Sequence, residues 1–189
     1  YINILTSLKL GIDNQDIEAI KTVYNGVLRD SANQFYDSKF DIVKLSNIKN
    51  DAIKSILSAK LLEAQNRGIS ISVEIEEPVS NFRIELLDFI TVLSVLCDNA
   101  IEATIKATSP RMTVVFINND DSLVLIVENS IKSEKVDVSH IFARGYSSKG
   151  EGRGLGLHNV NSILEKYPKS TITTRSANHL FSQTIRFCK

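Results

Sequence analysis

The residues of this 189-residue chain that are best suited to chemistry form a glycine-rich cluster directly before a helix-like segment. Four glycines stand at alternate positions with two basic residues beside them, in the order Lys149, Gly150, Gly152, Arg153, Gly154 and Gly156. Alternate glycines disfavour helix and strand interiors, so they need a local reason. Without Cβ atoms the backbone can bring successive N–H groups against an anion, and segment 155–167 would add the positive end of a helix dipole. The composition predicts a phosphate site, with a flexible surface loop as the alternative.

Two familiar phosphate motifs do not fit this cluster. The dinucleotide pattern GxGxxG fails because no glycine stands at the required sixth place. The P-loop pattern fails because Lys149 precedes its glycine instead of following it. The spacing therefore excludes both of these nucleotide-binding classes.

A second constellation lies in the octet Leu96–Ala103, which places Asp98, Asn99 and Glu102 along an otherwise apolar helix. Asn99 and Glu102 are three residues apart and share a helical face. An asparagine amide oxygen can ligate Mg²⁺ while a bound triphosphate supplies the remaining oxygen ligands and charge. The alternative is a helix end that reaches water, but the glycine cluster favours the metal interpretation.

The sequence pattern also predicts the elements that must position these residues. Apolar spacings of three and four predict helices, and alternation predicts strands. The most apolar helix, 83–107, should pack on a sheet through Leu86, Leu87, Ile90, Leu93, Leu96, Ala100 and Ala103. The predicted order is a helical hairpin within 1–28, a helix at 41–67 ended by Gly68, a strand at 69–76, the helix at 83–107, strands at 112–117 and 123–127, a lid at 132–153, a helix at 155–167, and strands at 170–174 and 180–187. This order indicates an α+β fold in which helices pack on one face of a mixed sheet.

Composition narrows the function. The 22 lysines and arginines balance the 22 aspartates and glutamates, so no global field favours nucleic acid or an anionic membrane as the main partner. Cys97 and Cys188 form no disulfide framework or metal spacing, which favours a cytoplasmic setting. The most apolar stretch, 89–97, is shorter than the roughly 18 to 20 residues of a membrane span. The chain also begins in a helical pattern without a cap, as expected for a piece of a longer protein.

These motifs resemble those of the GHKL ATP-binding superfamily, which includes gyrase and histidine kinases. The octet is similar to the family's asparagine box, and Gly152–Leu157 is similar to its second glycine box. Leu125–Ser130 stands in the place of the first glycine box, and Phe142 resembles the lid phenylalanine of histidine kinases. The resemblance covers about residues 38–189 and implies an α/β sandwich that holds ATP between helices and under a lid.

The resemblance assigns roles residue by residue. It implies that Asn99 ligates Mg²⁺, that Lys149 and, more weakly, Arg153 neutralise phosphate charge, and that the glycine-box residues wrap the phosphates: Gly152, Gly154, Leu155 and Gly156. Asn129 stands where the family has an aspartate that accepts a hydrogen bond from the adenine amino group. Its amide oxygen can accept the same bond without charge assistance. Val95 replaces the glutamate that activates water in hydrolases of the superfamily, which favours phosphoryl transfer to a protein acceptor.

Among histidine kinases, the chain resembles the peptide-pheromone quorum-sensing subgroup of the accessory-gene-regulator and competence type. The match implies that 1–37 is the remnant of a dimerising phosphotransfer hairpin, that 38–189 is the catalytic domain, and that the acceptor histidine stands two residues before Tyr1. Asn3 would then be placed to assist dephosphorylation of a response regulator. The chain has three histidines, His140, His158 and His179, and none of them fits a nucleophile or metal arrangement.

The implied protein is the cytoplasmic portion of a membrane sensor, with ATP and Mg²⁺ as cofactors, a response regulator as partner, homodimerisation through the hairpin, and a membrane link only through an N-terminal sensor domain. This piece should bind ATP without autophosphorylating. One alternative is a non-catalytic scaffold or phosphotransfer module of the same fold, because glycines are missing after Asn129. Another is an ATP-driven clamp or hydrolase, which Val95 disfavours.

Overall fold

A computed structural model describes residues 9–27, 44–142 and 156–189. The chain divides into two compact units, Tyr1–Ile42 and Val43–Lys189. In the first unit, residues 9–13 are helical and helix α1 spans Ile17–Val27. Asp16 caps α1, because its Oδ1 accepts a hydrogen bond from the Ala19 N–H at 2.9 Å.

The second unit contains one mixed five-stranded sheet with the strand order β1-β2-β3-β5-β4. Strands β1 and β2 are parallel, and the other neighbouring strands are antiparallel. The strands are β1 (Ser70–Ile75), β2 (Arg111–Asn118), β3 (Ser122–Ser130), β4 (Thr171–Ala177) and β5 (Leu180–Cys188). The helices are α2 (Asp51–Asn66), α3 (Leu86–Thr104) and α4 (Gly156–Leu164). The predicted α+β class and the two predicted hairpins are confirmed.

Helix α3 lies at the centre of the core. The Phe89 ring is fully buried and lies 4.6 Å, 6.3 Å and 5.4 Å, between ring centroids, from the rings of Phe82, Phe116 and Phe187. The buried face of α3 consists of Phe89, Val92, Leu93, Leu96, Cys97, Ala100, Ile101 and Thr104.

The predicted α3 face is wrong at its first turn. Leu86 and Leu87 are 40% and 76% exposed. The buried stripe is centred on Phe89, Leu93 and Leu96, so Leu87 falls on the solvent side of the helix together with the exposed Thr91. The prediction failed because Leu86 and Leu87 are apolar although they lie on the solvent side of α3.

Within the predicted helix at 41–67, residues 44 and 45 are helical, residues 46–50 are not, and α2 begins at Asp51. Asn50 caps it by accepting a hydrogen bond from the Ile53 N–H at 3.1 Å. Before the cap, Ile48 forms a parallel bridge with Val79, and the Asn47 amide donates to the Ile75 carbonyl at 2.8 Å. These tertiary hydrogen bonds replace the helical ones that the apolar spacing had predicted. The helix ends before Gly68, which has a left-handed φ of 75° as expected for such a stop.

Candidate functional site

Asn99 and Gly156 lie together between α3 and α4. Gly156 is the first residue of α4, and a Cβ placed on it would lie 3.1 Å from Val95 Cγ1 and 4.0 Å from Asn99 Nδ2. The first contact is tighter than ordinary van der Waals packing, so any side chain at position 156 would require Val95 or the start of α4 to shift. The structure therefore brings together two of the residues predicted to form the site.

The side chain of Asn99 leaves one polar atom without a partner. Its amide nitrogen Nδ2 is buried and has no hydrogen-bond acceptor among the described residues. Leaving such a donor unsatisfied costs about 1–3 kcal/mol. The first N–H groups of α4 likewise have no acceptor within their own helix.

An anionic oxygen between α3 and α4 would satisfy both kinds of donor. A phosphate oxygen or a metal-bound water could accept from Asn99 Nδ2, while the start of α4 offers its N–H groups and positive dipole end. The same amide carries the oxygen Oδ1, a ligand of the type that Mg²⁺ prefers. The residues present therefore fit a magnesium–phosphate group.

Asn129 lies near the end of β3, where its side chain is buried. Its Nδ2 donates a hydrogen bond to the Ser130 carbonyl at 2.9 Å, and Thr104 Oγ1 of α3 donates to the same carbonyl at 3.3 Å. Because a carbonyl can only accept, this bond fixes the orientation of the Asn129 amide. Its Oδ1 is the end that remains suited to accept from an amino group.

Six of the predicted site residues lie outside the described part of the chain: Asn3, Lys149, Gly152, Arg153, Gly154 and Leu155. Phe142 is described and half-buried, directly after the buried Ile141. The described part of the site thus rests on Asn99, Asn129 and Gly156.

The start of the predicted lid is attached to the sheet. Ile131 N–H donates to the His179 carbonyl at 2.8 Å, His179 N–H donates to the Glu134 carbonyl at 2.8 Å, and Val136 N–H donates to Ser176 Oγ at 2.8 Å. His179 lies in the β4–β5 turn with a φ of 60°. These three hydrogen bonds join the segment 131–136, next to Asn129, to the β4–β5 hairpin.

Asp98 is directed toward α2. Its Oδ1 accepts a hydrogen bond from Lys60 Nζ at 2.5 Å. Burial lowers the pKa of Lys60, but the hydrogen bond and the charge of Asp98 outweigh it, so the pKa is raised. Glu102, the third polar residue of the octet, is exposed. The octet therefore has a structural aspartate, Asp98, beside its ligand-binding candidate, Asn99.

Sequence reasoning missed a second cross-helix cluster, formed by Asp88 on α3 and the two residues Lys166 and Tyr167 after α4. Tyr167 Oη donates to Asp88 Oδ2 at 2.7 Å, and Lys166 Nζ lies 3.2 Å from Asp88 Oδ1. The Tyr167 hydrogen bond, followed by Lys166, lowers the pKa of Asp88 despite partial burial. Since the partners are 78 and 79 residues apart, no local pattern indicates them.

Within residues 9–27, 44–142 and 156–189, no cluster of three or more His, Cys, Asp or Glu side chains forms a metal site. In the same ranges, no helix has the length and apolarity needed to cross a membrane. Asn99 belongs to none of these four residue types, since its possible ligand atom is an amide oxygen.

The sheet and the three helices form an α/β domain in which Asn99 and Gly156 lie close together between α3 and α4. Residues 84–188, more than half of the chain, match the family model described as the GHKL domain. The chain belongs to the GHKL family, which confirms the family resemblance seen in its motifs.

Solved structures show the same fold. The catalytic domain of histidine kinase ThkA aligns with a TM-score of 0.61 at 20% identity, over 75% of this chain and 92% of its own. The Acinetobacter baumannii histidine kinase AdeS aligns with a TM-score of 0.54 at 19% identity, over 99% of this chain and 94% of its own. The domain thus has the fold of histidine kinase catalytic domains.

Two curated relatives are longer than this chain. Sensor protein CitS of Bacillus subtilis is 28% identical over 168 residues, which are 86% of this chain and 29% of CitS. Sensor histidine kinase DcuS of Escherichia coli is 30% identical over 144 residues, which are 74% of this chain and 26% of DcuS. The chain therefore spans less than a third of the length of these relatives.

Proposed function

We propose that this chain is the ATP-binding catalytic part of a sensor histidine kinase. It would bind Mg-ATP, transfer the γ-phosphoryl group to a histidine and pass it on to a response regulator. The observation that carries the proposal is the unpartnered Asn99 amide facing the start of α4 in a GHKL fold. The sensor names of the relatives support the signalling context.

Each described site residue has one task in this proposal. Bound Mg-ATP supplies the phosphoryl group and a metal charge that neutralises the phosphates. Asn99 Oδ1 would hold the metal, and the N–H groups at Gly156 would hold phosphate oxygens. Asn129 Oδ1 would accept a hydrogen bond from the adenine amino group, since its Nδ2 already donates to the Ser130 carbonyl.

Val95 favours phosphoryl transfer to a protein over hydrolysis of ATP. Its aliphatic side chain contacts the start of α4 and cannot take a proton from water. Phosphoryl transfer to a protein acceptor requires mainly positioning and charge neutralisation from this domain. We therefore assign the domain to a kinase, and an isolated domain that hydrolyses ATP with turnover would contradict the assignment.

The remaining assignments rest on the motif resemblance. We propose that Lys149, Gly152, Arg153, Gly154 and Leu155 contact the phosphates. Residues 1–37 would be the rest of a dimerising hairpin, with Asn3 four residues after an acceptor histidine that precedes Tyr1 by two residues. The full protein would be a homodimeric membrane sensor of the peptide-pheromone type with a cytoplasmic kinase. A different encoded residue at that upstream position would refute the acceptor assignment.

The direct test is a titration of the 189-residue chain with a non-hydrolysable ATP analogue, with Mg²⁺ or with EDTA. We expect Asn99→Ala to weaken binding at least tenfold and to abolish its Mg²⁺ dependence. Asn161→Ala is the matched control, because the Asn161 amide bonds Glu165 within the α4 region at 2.9 Å. Wild-type chain that fails to bind millimolar nucleotide refutes the enzyme and favours the non-catalytic scaffold. Unchanged binding in Asn99→Ala refutes the metal assignment alone.

The base assignment has its own test. Inosine triphosphate lacks the amino group that Asn129 Oδ1 would accept from. We expect the wild-type chain to prefer the adenine nucleotide and Asn129→Ala to bind both nucleotides alike. If the wild-type chain and Asn129→Ala show the same ratio of affinities for the two nucleotides, Asn129 does not recognise the adenine amino group.

A further inference from the structure

The start of α3 is capped by a side chain from another element. Glu85 holds the N-cap position of α3 but forms no side-chain capping hydrogen bond. Instead, the Glu85 N–H donates to Tyr167 Oη at 3.2 Å, and Tyr167 Oη donates to Asp88 Oδ2 at 2.7 Å. Tyr167 therefore closes the first turn of α3 from a position three residues after the end of α4.

The same contacts hold the far end of α4. Helices α3 and α4 run antiparallel, because α4 begins beside Val95 and Asn99 and the chain leaves it beside Asp88. Apolar contacts along α4 come from Val160, Ile163 and Leu164, which are buried. Apolar packing has little directional preference, whereas the hydrogen bonds of Tyr167 require one geometry.

The register between the two helices has a narrow tolerance. A one-residue register shift of α4, about 1.5 Å along its axis with a rotation of about 100°, would place Leu157 where Gly156 now lies. The Val95 contact, which would be 3.1 Å even for a methyl group, leaves no room for a leucine side chain. A nine-residue helix is also too short to be stable on its own, so its position depends on its anchors.

We propose that Asp88 and Tyr167 are positioning residues that set the register of α4 on α3 and thereby keep Gly156 against Asn99. This proposal rests on the proposed function, because it assigns the nucleotide site a support about 16 Å away along α3, the rise of the eleven residues from Asp88 to Asn99. Lys166 is a minor member, since its side chain is 60% exposed and exposed ion pairs contribute little.

The test compares Tyr167→Phe, Asp88→Ala and Asp88→Asn in the 189-residue chain. Tyr167→Phe removes only the hydroxyl, and Asp88→Asn keeps an oxygen that can accept from Tyr167. Asn50→Ala is the control. It removes the cap of α2 and should lower the melting temperature, but the lost hydrogen bond, from Ile53 N–H, belongs to α2 and not to α3 or α4. Nucleotide-free protein is observed by NMR at the Asn99 side-chain amide and the Gly156 N–H. The dissociation constant for Mg-ATP analogue is measured well below the melting temperatures.

We expect Tyr167→Phe and Asp88→Ala to shift both NMR signals and to weaken nucleotide binding about fivefold, the effect of one lost hydrogen bond. Asp88→Asn should stay within about twofold of wild type, because the acceptor oxygen is retained. Asn50→Ala should change neither the signals nor the affinity.

Three results would overturn the positioning role. The first is unchanged NMR signals in Tyr167→Phe, and the second is unchanged affinity in a variant whose signals shift. The third is that Asn50→Ala shifts the same signals and weakens binding to the same extent. A distinct result separates the two proposals. If the signals shift in Tyr167→Phe but the wild-type chain does not bind nucleotide, the register role stands and the proposed function fails.

Discussion

Replacing Gly156 by alanine tests whether the close approach of α4 to α3 serves nucleotide binding. The added methyl would meet Val95 Cγ1 at 3.1 Å and Asn99 Nδ2 at 4.0 Å. The second distance is ordinary van der Waals contact, so the strain falls on Val95. Val95 or the start of α4 must therefore move by a few tenths of an ångström.

Stability and binding should respond differently. Gly→Ala in a helix gains up to about 1 kcal/mol of propensity, and an overpacked contact costs about 1–3 kcal/mol. The cost partly exceeds the gain, so we expect the free energy of unfolding to fall by roughly 0–2 kcal/mol. A displaced α4 misaligns its N–H groups from the phosphates, where a charge-assisted hydrogen bond contributes about 1.5–3 kcal/mol. Losing one such bond at the lower end of this range, ~1.4 kcal/mol, predicts about tenfold weaker binding.

The assay combines calorimetric titration of Mg-ATP analogue with urea unfolding. Val95→Ala in the Gly156→Ala background removes the atom that the methyl meets, so we expect the double variant to bind within about threefold of Val95→Ala alone. Gly68→Ala is a control at a second glycine, and it should lower stability but leave nucleotide affinity unchanged. Its φ of 75° strains an alanine, so stability should fall by about 1–2 kcal/mol without a change in affinity.

Two results would refute this reasoning. Wild-type affinity in Gly156→Ala would show that binding tolerates a methyl group between the helices. Weak binding that persists in the double variant would show that the Val95 contact is not the cause of the loss.

Three further outcomes follow from burial and hydrogen bonding. The Cys97 thiol is fully buried and desolvation raises its pKa to about 12, so a thiol reagent at pH 8 should label the partly exposed Cys188 and leave Cys97 unmodified until the chain unfolds. Because folding lowers the pKa of Asp88, its stabilising effect is present above the unfolded-state value near 3.9 and is lost as the pH falls through the lower folded-state value. Asp88→Asn should therefore flatten the acid limb of the unfolding free energy below about pH 4. Phe89→Ala should destabilise the domain by about 3–5 kcal/mol in urea unfolding, since its ring contacts three other phenylalanine rings.

Local patterns predicted the elements whose hydrogen bonds are satisfied locally or by neighbouring strands. In β1, alternation correctly predicted that Val73 and Ile75 are buried, because a half-buried strand has a period of two. The start of α2 could not be predicted in this way, since Leu45 and Ile48 have helical spacing too. There the bridge between Ile48 and Val79 prevails over the helical alternative.

The candidate site likewise contains residues that local motifs indicate and residues whose role depends on tertiary packing. Asn99 and Gly156 were predictable because each belongs to a short motif whose composition is costly without a ligand. Asp88 and Tyr167 were not, because an aspartate in a first helical turn and a tyrosine before a proline are each common on solvated surfaces. Their role arises only when α4 packs against α3.

Loss of a ligand-binding residue and loss of a positioning residue should change nucleotide binding in different ways. If Asn99 holds the metal as proposed, its loss should change Mg²⁺ dependence. A residue such as Tyr167 acts through helix register, so its loss should weaken binding while Mg²⁺ dependence is kept. Measuring affinity with and without Mg²⁺ therefore separates the two roles in variants whose overall loss of affinity is the same.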